Sequence, residues 1–137
     1  MKNLPNKPSE LILLALHDLE LVEASPNYEV NMFDWHNPTY PIDEPCYVCF
    51  AGAVMAFSLN ASINKSLRPG NFDDDTSEKL IALDCFRQGR IAAALDEIGY
   101  TCESLEPVME FADYQDDPEE FKLDMKNLAR DLGRNGL

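Results

Sequence analysis

The sequence predicts a mainly α-helical protein, a single compact domain of five or six short helices that leaves room for one short two-stranded β-hairpin. Apolar residues recur every three or four positions in several segments, and capping residues or glycines stand at the ends of those segments. Strand-like alternation is confined to short stretches. A chain of 137 residues with 45% hydrophobic residues is long enough to bury a core.

The N-terminal part is predicted to hold a leader, a helix, a strand and a loop. We expect residues 1–8 to form a flexible leader and residues 9–137 to form the domain. Ser9 is suited to cap a helix that runs to Ala24, and Ser25-Pro26-Asn27 would end it. One face of that helix carries the apolar stripe Ile12, Ala15, Leu16, Leu19 and Val22. Residues 28–32 alternate like a strand.

A proline-rich loop and a helix of small residues come next. The loop DWHNPTYPIDEP contains three aromatic or aliphatic side chains expected to pin it to the body, Trp35, Tyr40 and Ile42. Pro45 suits the first position of a second helix, over 46 to about 60. On that helix a narrow seam of small side chains would let another helix approach closely, formed by Cys49, Gly52, Ala53 and Ala56.

The C-terminal part is predicted to hold four helices and one short strand candidate. Asp75 would cap a third helix in a capping box with Glu78 and Gly89 would end it, while 90–98 forms a fourth that ends at Gly99. Tyr100-Thr101-Cys102 is a second strand candidate that would pair with 28–32. A helix over 107–114 starts at Pro107. The last helix has Asp117 as cap, Pro118 in the first position and Gly133 as its end, and its buried residues are Phe121, Met125, Leu128 and Leu132.

Charge gives the strongest compositional signal. The chain has 25 acidic and 11 basic residues, a net charge of −14, so it repels nucleic acid phosphates and anionic membrane surfaces and favours a basic protein partner. The acids form two clusters, the first made of Asp73, Asp74, Asp75 and Glu78 and the second of the acids in residues 103–120. If both clusters share one face, their carboxylates would imitate phosphates and fill a basic groove. The alternative is that these acids cap helices and keep the chain soluble. The candidate partner-binding residues are Asp73, Asp74, Asp75, Glu103, Glu106, Glu110, Asp113, Asp116 and Asp117.

The pair Cys46 and Cys49 raises four alternatives. At a helix N-terminus Cys46 would be a reactive thiolate with Cys49 as its resolving partner, although no long core strand precedes it as in a thioredoxin-type site. Cys46 or Cys49 would be a nucleophile with His36 as its base, and Asp34 or Asn37 would orient the imidazole. Zinc would need a second ligand pair at the right spacing, so we predict no metal and no cofactor. The fourth interpretation is structural, with Cys49 in the core.

The N-terminus does not resemble an export signal, because prolines come early, the apolar run is short and no cleavage site follows. No window approaches the 18 apolar residues of a membrane span. We therefore expect a cytoplasmic protein with free thiols.

Three segments, NMFDWHNP, CYVCFAGAVMA and KLIALDCFRQG, together resemble small uncharacterised proteins of bacteriophage and prophage gene sets. In those proteins a loop with Trp and His leads into a Cys-x-x-Cys-x-Ala-Gly-Ala helix. The resemblance covers residues 9 to about 98 and assigns no catalytic residue. It implies an accessory protein of the bacterial host cytoplasm, where small acidic phage proteins often bind and inhibit a host protein.

The functional prediction is therefore a non-catalytic acidic module that inhibits or modulates a host nucleic-acid-handling or defence protein without binding nucleic acid itself. The alternatives are a small thiol-dependent enzyme or redox protein using Cys46, Cys49 and His36, and a homo-oligomeric structural protein, such as a homodimer, that uses the small-residue seam or the aromatic loop as its contact.

Overall fold

The computed structural model describes residues 3–39, 45–84, 86, 88–101 and 112–137, and it confirms a mainly α-helical domain. Six α-helices lie within these ranges: α1 (Pro8–Ala24), α2 (Phe50–Ala56), α3 (Asp74–Ala82), α4 (Gly89–Glu97), α5 (Ala112–Asp116) and α6 (Pro118–Arg134). Three short strands form one sheet: β1 (Tyr28–Val30), β2 (His36–Asn37) and β3 (Cys46–Val48). None of the helices in the described part of the chain combines the length and apolar character that crossing a bilayer requires.

Helix α1 is confirmed and packs against both α2 and α6. It begins at Pro8 rather than after a Ser9 cap, and Lys7, in the capping position, supplies no side-chain bond. Ser9 lies in the first turn, where its N–H and its hydroxyl both donate to the main-chain oxygen of Leu137, at 3.2 and 2.8 Å. The main-chain oxygen of Leu137 thus accepts from a first-turn N–H that a capping side chain would otherwise satisfy.

The sheet differs from the hairpin that the sequence predicts. Strand β1 pairs in parallel with β3, and β2 pairs with the other edge of β3 in the antiparallel sense. Tyr100 and Thr101 lie outside any strand, and Cys102 lies outside the described residues. The partner of β1 is therefore the segment 46–48, which was predicted to be the start of a helix.

Helix α2 is shorter than predicted, since it starts at Phe50 after a three-residue strand. Cys49 is the N-cap, and its Sγ accepts a hydrogen bond from the N–H of Gly52 at 3.4 Å. All residues of α2 are buried. A short helix that is apolar on every side is expected at the centre of a domain, between other elements.

Helices α3 and α4 differ from the prediction in the acid that caps α3 and in the role of Gly89. Asp73, not Asp75, caps α3, accepting from the N–H of Thr76 at 2.8 Å. Helix α3 ends at Ala82 instead of running on to Gly89. Gly89 has a φ of +85° and opens α4, whereas Gly99, with a φ of +98°, follows the end of α4 as predicted.

The C-terminal helix α6 is confirmed at its start and extended at its end. The carboxylate of Asp117 accepts from the N–H of Glu120 at 3.1 Å, and Pro118 occupies the first turn. The predicted apolar stripe of α6 is buried. The helix continues through Gly133 to Arg134 because the φ of Gly133 stays helical. Of the helix predicted over 107–114, residues 107–111 lie outside the described residues, and α5 covers Ala112–Asp116.

The segment predicted as a loose leader is held to the domain at Leu4 and Asn6. Leu4 belongs to the core. The buried ammonium of Lys79 donates to the main-chain oxygen of Leu4 at 2.9 Å, and Arg90 donates to that of Asn6 at 2.8 Å. Two cations therefore hold the main chain before α1 against α3 and α4.

Candidate functional site

The structure brings Cys46 and His36 together at the centre of the sheet. They lie on adjacent strands, β3 and β2, and the Sγ of Cys46 is 3.9 Å from both ring nitrogens of His36. Cys46 is 2% exposed and His36 is 1% exposed. The ring of Tyr28 lies edge-on to the imidazole, with centroids 6.1 Å apart. The pair is therefore enclosed by protein.

The hydrogen bonds of His36 fix its tautomer. Its Nδ1 lies 2.7 Å from the main-chain oxygen of Lys65, which only accepts, so Nδ1 carries the proton and Nε2 carries the lone pair. A thiol aligned with that lone pair would be clearly closer to Nε2 than to Nδ1, and Cys46 is not. The contact is a packing contact with polar character and lacks the alignment of a nucleophile with its base.

Burial sets the charge of both groups. It lowers the pKa of His36 below its ordinary value and raises the pKa of the Cys46 thiol to about 11. Both are neutral near pH 7. The reactive thiolate predicted for Cys46 depended on a helix N-terminus, and Cys46 lies in a strand instead.

Cys49 does lie at a helix N-terminus, yet burial outweighs the helix dipole there. Burial raises its pKa to about 12, and the bond from Gly52 N–H opposes this only in part. The chain from Cys46 to Cys49 is extended, so their Cα atoms are roughly 10 Å apart, beyond the reach of a disulfide. Both cysteines are free, and a redox CxxC does not fit this backbone.

The part of the chain that the structure describes offers no set of ligands for a metal ion. No group of three or more His, Cys, Asp and Glu side chains there is placed to hold an ion. Cys85 and Cys102, the other cysteines, lie outside the described residues.

Among the small residues that follow the cysteines, Gly52 occupies a position with no space for a side chain. A Cβ atom at this position would lie 1.6 Å from the carbonyl oxygen of Trp35 and 3.0 Å from the Cβ of Val48. The seam predicted to receive another helix therefore receives, at Gly52, the main chain of the loop before β2. The Sγ of Cys49 approaches the same oxygen at 4.0 Å.

We call residues 31–37, which comprise the turn after β1 and strand β2, the Phe33 loop. The N–H of Asn31 donates to Val48 at 2.8 Å, and its side-chain oxygen accepts from the N–H of Phe33 at 3.0 Å. Met32 is buried, and Trp35 packs against the core as predicted. Phe33 itself is 79% exposed. Sequence reasoning missed it, although an aromatic residue inside a polar turn, two residues after an Asn, was a usable signal. Tyr40 and Ile42 lie outside the described residues.

The first acidic cluster is partly occupied by structural bonds. Asp73 caps α3, Asp75 pairs with Lys79 at 2.8 Å, and Glu78 pairs with Arg90 at 2.8 Å. Asp74 is exposed in the first turn. This cluster therefore anchors the segment before α1 and presents carboxylates to solvent at the same time.

The second acidic cluster is described only from α5 onward. Asp116 and Asp117 are exposed, and Asp117 also caps α6. Asp113 lies within α5. The other predicted members lie outside the described residues: Glu103, Glu106 and Glu110.

Comparison of the chain with protein-family models, with curated proteins and with solved structures gives no match in any of the three. The site must therefore be interpreted from its own chemistry.

Proposed function

We propose that this protein is a non-catalytic, acidic protein-binding module that inhibits or modulates a nucleic-acid-handling or defence protein of a bacterial host. The observation that carries the proposal is a net charge of −14 on a helical frame. A partner with a basic groove built for phosphates would attract such a surface, and association would be fast and weakened by salt.

Rigid presentation supports the proposal. Asp73 and Asp117 accept main-chain hydrogen bonds at the starts of α3 and α6, which holds each carboxylate in place. Asp74 and Asp116 are their exposed sequence neighbours. Carboxylates on helix ends lose little freedom on binding, so more of the electrostatic attraction is retained as affinity.

The second candidate, a thiol-dependent enzyme or redox protein, is favoured by the contact between Cys46 and His36. Their burial, their neutral state at pH 7 and the poor alignment with Nε2 oppose it. A nucleophile needs a thiolate that a substrate can reach. The binding module therefore fits the geometry better. Its phage-type origin and its place in the host cytoplasm rest on the sequence resemblance.

The test is affinity capture from bacterial lysate with the immobilised protein at low and high salt, using two variants of equal charge. The first neutralises the two helix starts by Asp→Asn at Asp73, Asp74, Asp116 and Asp117, and Asn preserves the caps. The control neutralises four other exposed acids, by Glu10→Gln, Glu20→Gln, Asp96→Asn and Glu97→Gln.

We expect a basic protein that is retained at low salt, released at high salt and displaced by duplex DNA. The first variant should lose it and the control should keep it. Equal loss from both variants would indicate attraction by net charge alone, and no retained basic protein would refute the proposal.

A further inference from the structure

Phe33 is the most exposed large hydrophobic side chain among the described residues. At 79% exposed, it exceeds Leu123 at 56% and Leu13 at 51%, which both lie on helices. Phe33 instead stands in a turn between buried Met32 and the half-buried Trp35. An aromatic side chain left in water at this position contributes nothing to the core, and aromatic residues dominate the binding energy of protein interfaces.

The main chain on both sides of Phe33 is fixed. On one side Asn31 bonds to β3 and accepts from the N–H of Phe33. On the other side the carbonyl of Trp35 rests on Gly52, and His36 donates to Lys65 at 2.7 Å. Folding has therefore already ordered the Phe33 loop, so a partner would bear little further entropic cost.

The surroundings of Phe33 indicate the chemistry of a partner. On one side lies an open depression of about 380 Å³, lined by Glu29, Val30, Asn31, Phe33, Tyr47 and Gln115, with one carboxylate and no basic residue. A second depression beside Phe33, of about 140 Å³, has Asp34 and Arg68 in its lining. Each depression beside Phe33 thus carries one carboxylate, that of Glu29 or that of Asp34, and the second also carries the guanidinium of Arg68.

We propose that Phe33 inserts into an apolar pocket of a partner protein, and that Lys or Arg side chains at the rim of that pocket face Glu29 and Asp34. The inference rests on the proposed function and names its short-range contact, since the acidic helix ends supply attraction and Phe33 supplies specificity. Charge complementarity favours such a partner over a second copy of this chain, which carries the same net charge of −14.

The experiment places the photo-crosslinking residue p-benzoylphenylalanine at position 33 of the full chain and irradiates it in bacterial lysate. The crosslinked protein is identified, purified and titrated with wild type, Phe33→Ala and the matched control Leu123→Ala. We expect the crosslink in an apolar pocket bordered by Lys or Arg. Phe33→Ala should weaken the Kd at least tenfold, while the control stays within about twofold. Because both side chains are exposed, the urea midpoints of both variants should match wild type.

Other results separate this inference from the proposed function. If the four-acid variant loses the captured protein and Phe33→Ala keeps it, the inference fails and the proposed function stands. If position 33 crosslinks into an apolar pocket of a protein that the four-acid variant still retains, the contact at Phe33 stands and the proposed attraction by the acidic helix ends fails. Crosslinking to a second copy alone, or to no protein, overturns the inference.

Discussion

Replacing Gly52 by Ala tests whether the Phe33 loop is held against α2 by close main-chain contact. The added Cβ would lie 1.6 Å from the Trp35 oxygen, 2.9 Å from its carbonyl carbon and 3.0 Å from the Val48 Cβ. Real Cβ contacts shorter than 3.0 Å are essentially never seen, so the loop must move by about 1.4 Å or more. The obstacle is main chain, which no rotamer change can clear.

The expected cost follows from two opposing effects. Overpacking in a buried site costs about 1–3 kcal/mol, and a clash with the main chain of Trp35, with the Cβ of Val48 also at 3.0 Å, belongs at the upper end. Replacing Gly by Ala within a helix stabilises the helix by about 1 kcal/mol. We therefore expect Gly52→Ala to lower the free energy of unfolding by about 2 kcal/mol.

Urea unfolding measures this change, and Gly133→Ala is the matched control. A Cβ at Gly133 in α6 would meet only Ser9, at 3.9 Å, an ordinary contact, so this variant should gain up to about 1 kcal/mol. The fluorescence of Trp35, the only tryptophan, reports the loop itself and should shift in Gly52→Ala alone. Equal stability of the two variants would refute the close contact.

Three other predictions concern the buried acid, the thiols and a cap. Asp18 is 3% exposed and accepts a hydrogen bond from Ser58, and burial raises the pKa of its carboxyl group. The contribution of Asp18 to stability is therefore full below the pKa of the unfolded state and is lost as the pH rises through the pKa of the folded state. At pH 7 the free energy of unfolding of Asp18→Asn should therefore be higher than that of wild type by on the order of 1 kcal/mol. Urea titrations should show this difference shrinking towards pH 4. Iodoacetamide at pH 8, with mass mapping of each site, should label Cys46 and Cys49 at least about 100-fold more slowly in the folded than in the unfolded protein. A rate plateau below pH 8 for Cys46 would restore the enzyme alternative. In urea unfolding, Asp117→Ala should lower the free energy of unfolding by about 1 kcal/mol, and Asp117→Asn should lower it by a few tenths of a kcal/mol. Equal losses in the two variants would contradict the capping role of Asp117.

Local patterns predicted the long helices and failed where a distant partner decides the structure. The capping sequence at Asp117 and the stripe of α6 are local, and both appear as predicted. The segment Cys46–Val48 became a strand because β1 and β2 pair with its two edges. Tyr47 and Val48 favour a strand, whereas Pro45 directly before them favours a helix start. At α3, each of three consecutive aspartates was able to cap, and Asp75 instead pairs with Lys79.

The candidate site was predictable by residue type but not by chemistry. Cys46 and His36 were named together, and they meet. Their reactivity depended on exposure, which is a property of the packed domain and not of residue spacing. The small residues after Cys49 predict a surface for close approach. What approaches Gly52 is a loop carbonyl, and a periodic pattern carries no information about that.

The Phe33 loop and the segment from β3 to α2 act as one unit, which predicts how their variants combine. Asn31 bonds to Val48, Trp35 rests on Gly52, and His36 contacts Cys46. If Phe33 is the partner contact, Gly52→Ala should weaken binding as well as stability because it displaces the loop, whereas Phe33→Ala should weaken binding alone. The double variant, titrated against the crosslinked protein, should then bind no worse than Phe33→Ala, since a displaced loop without its aromatic side chain has little left to lose. Fully additive losses would mean that Gly52 supports some other contact surface.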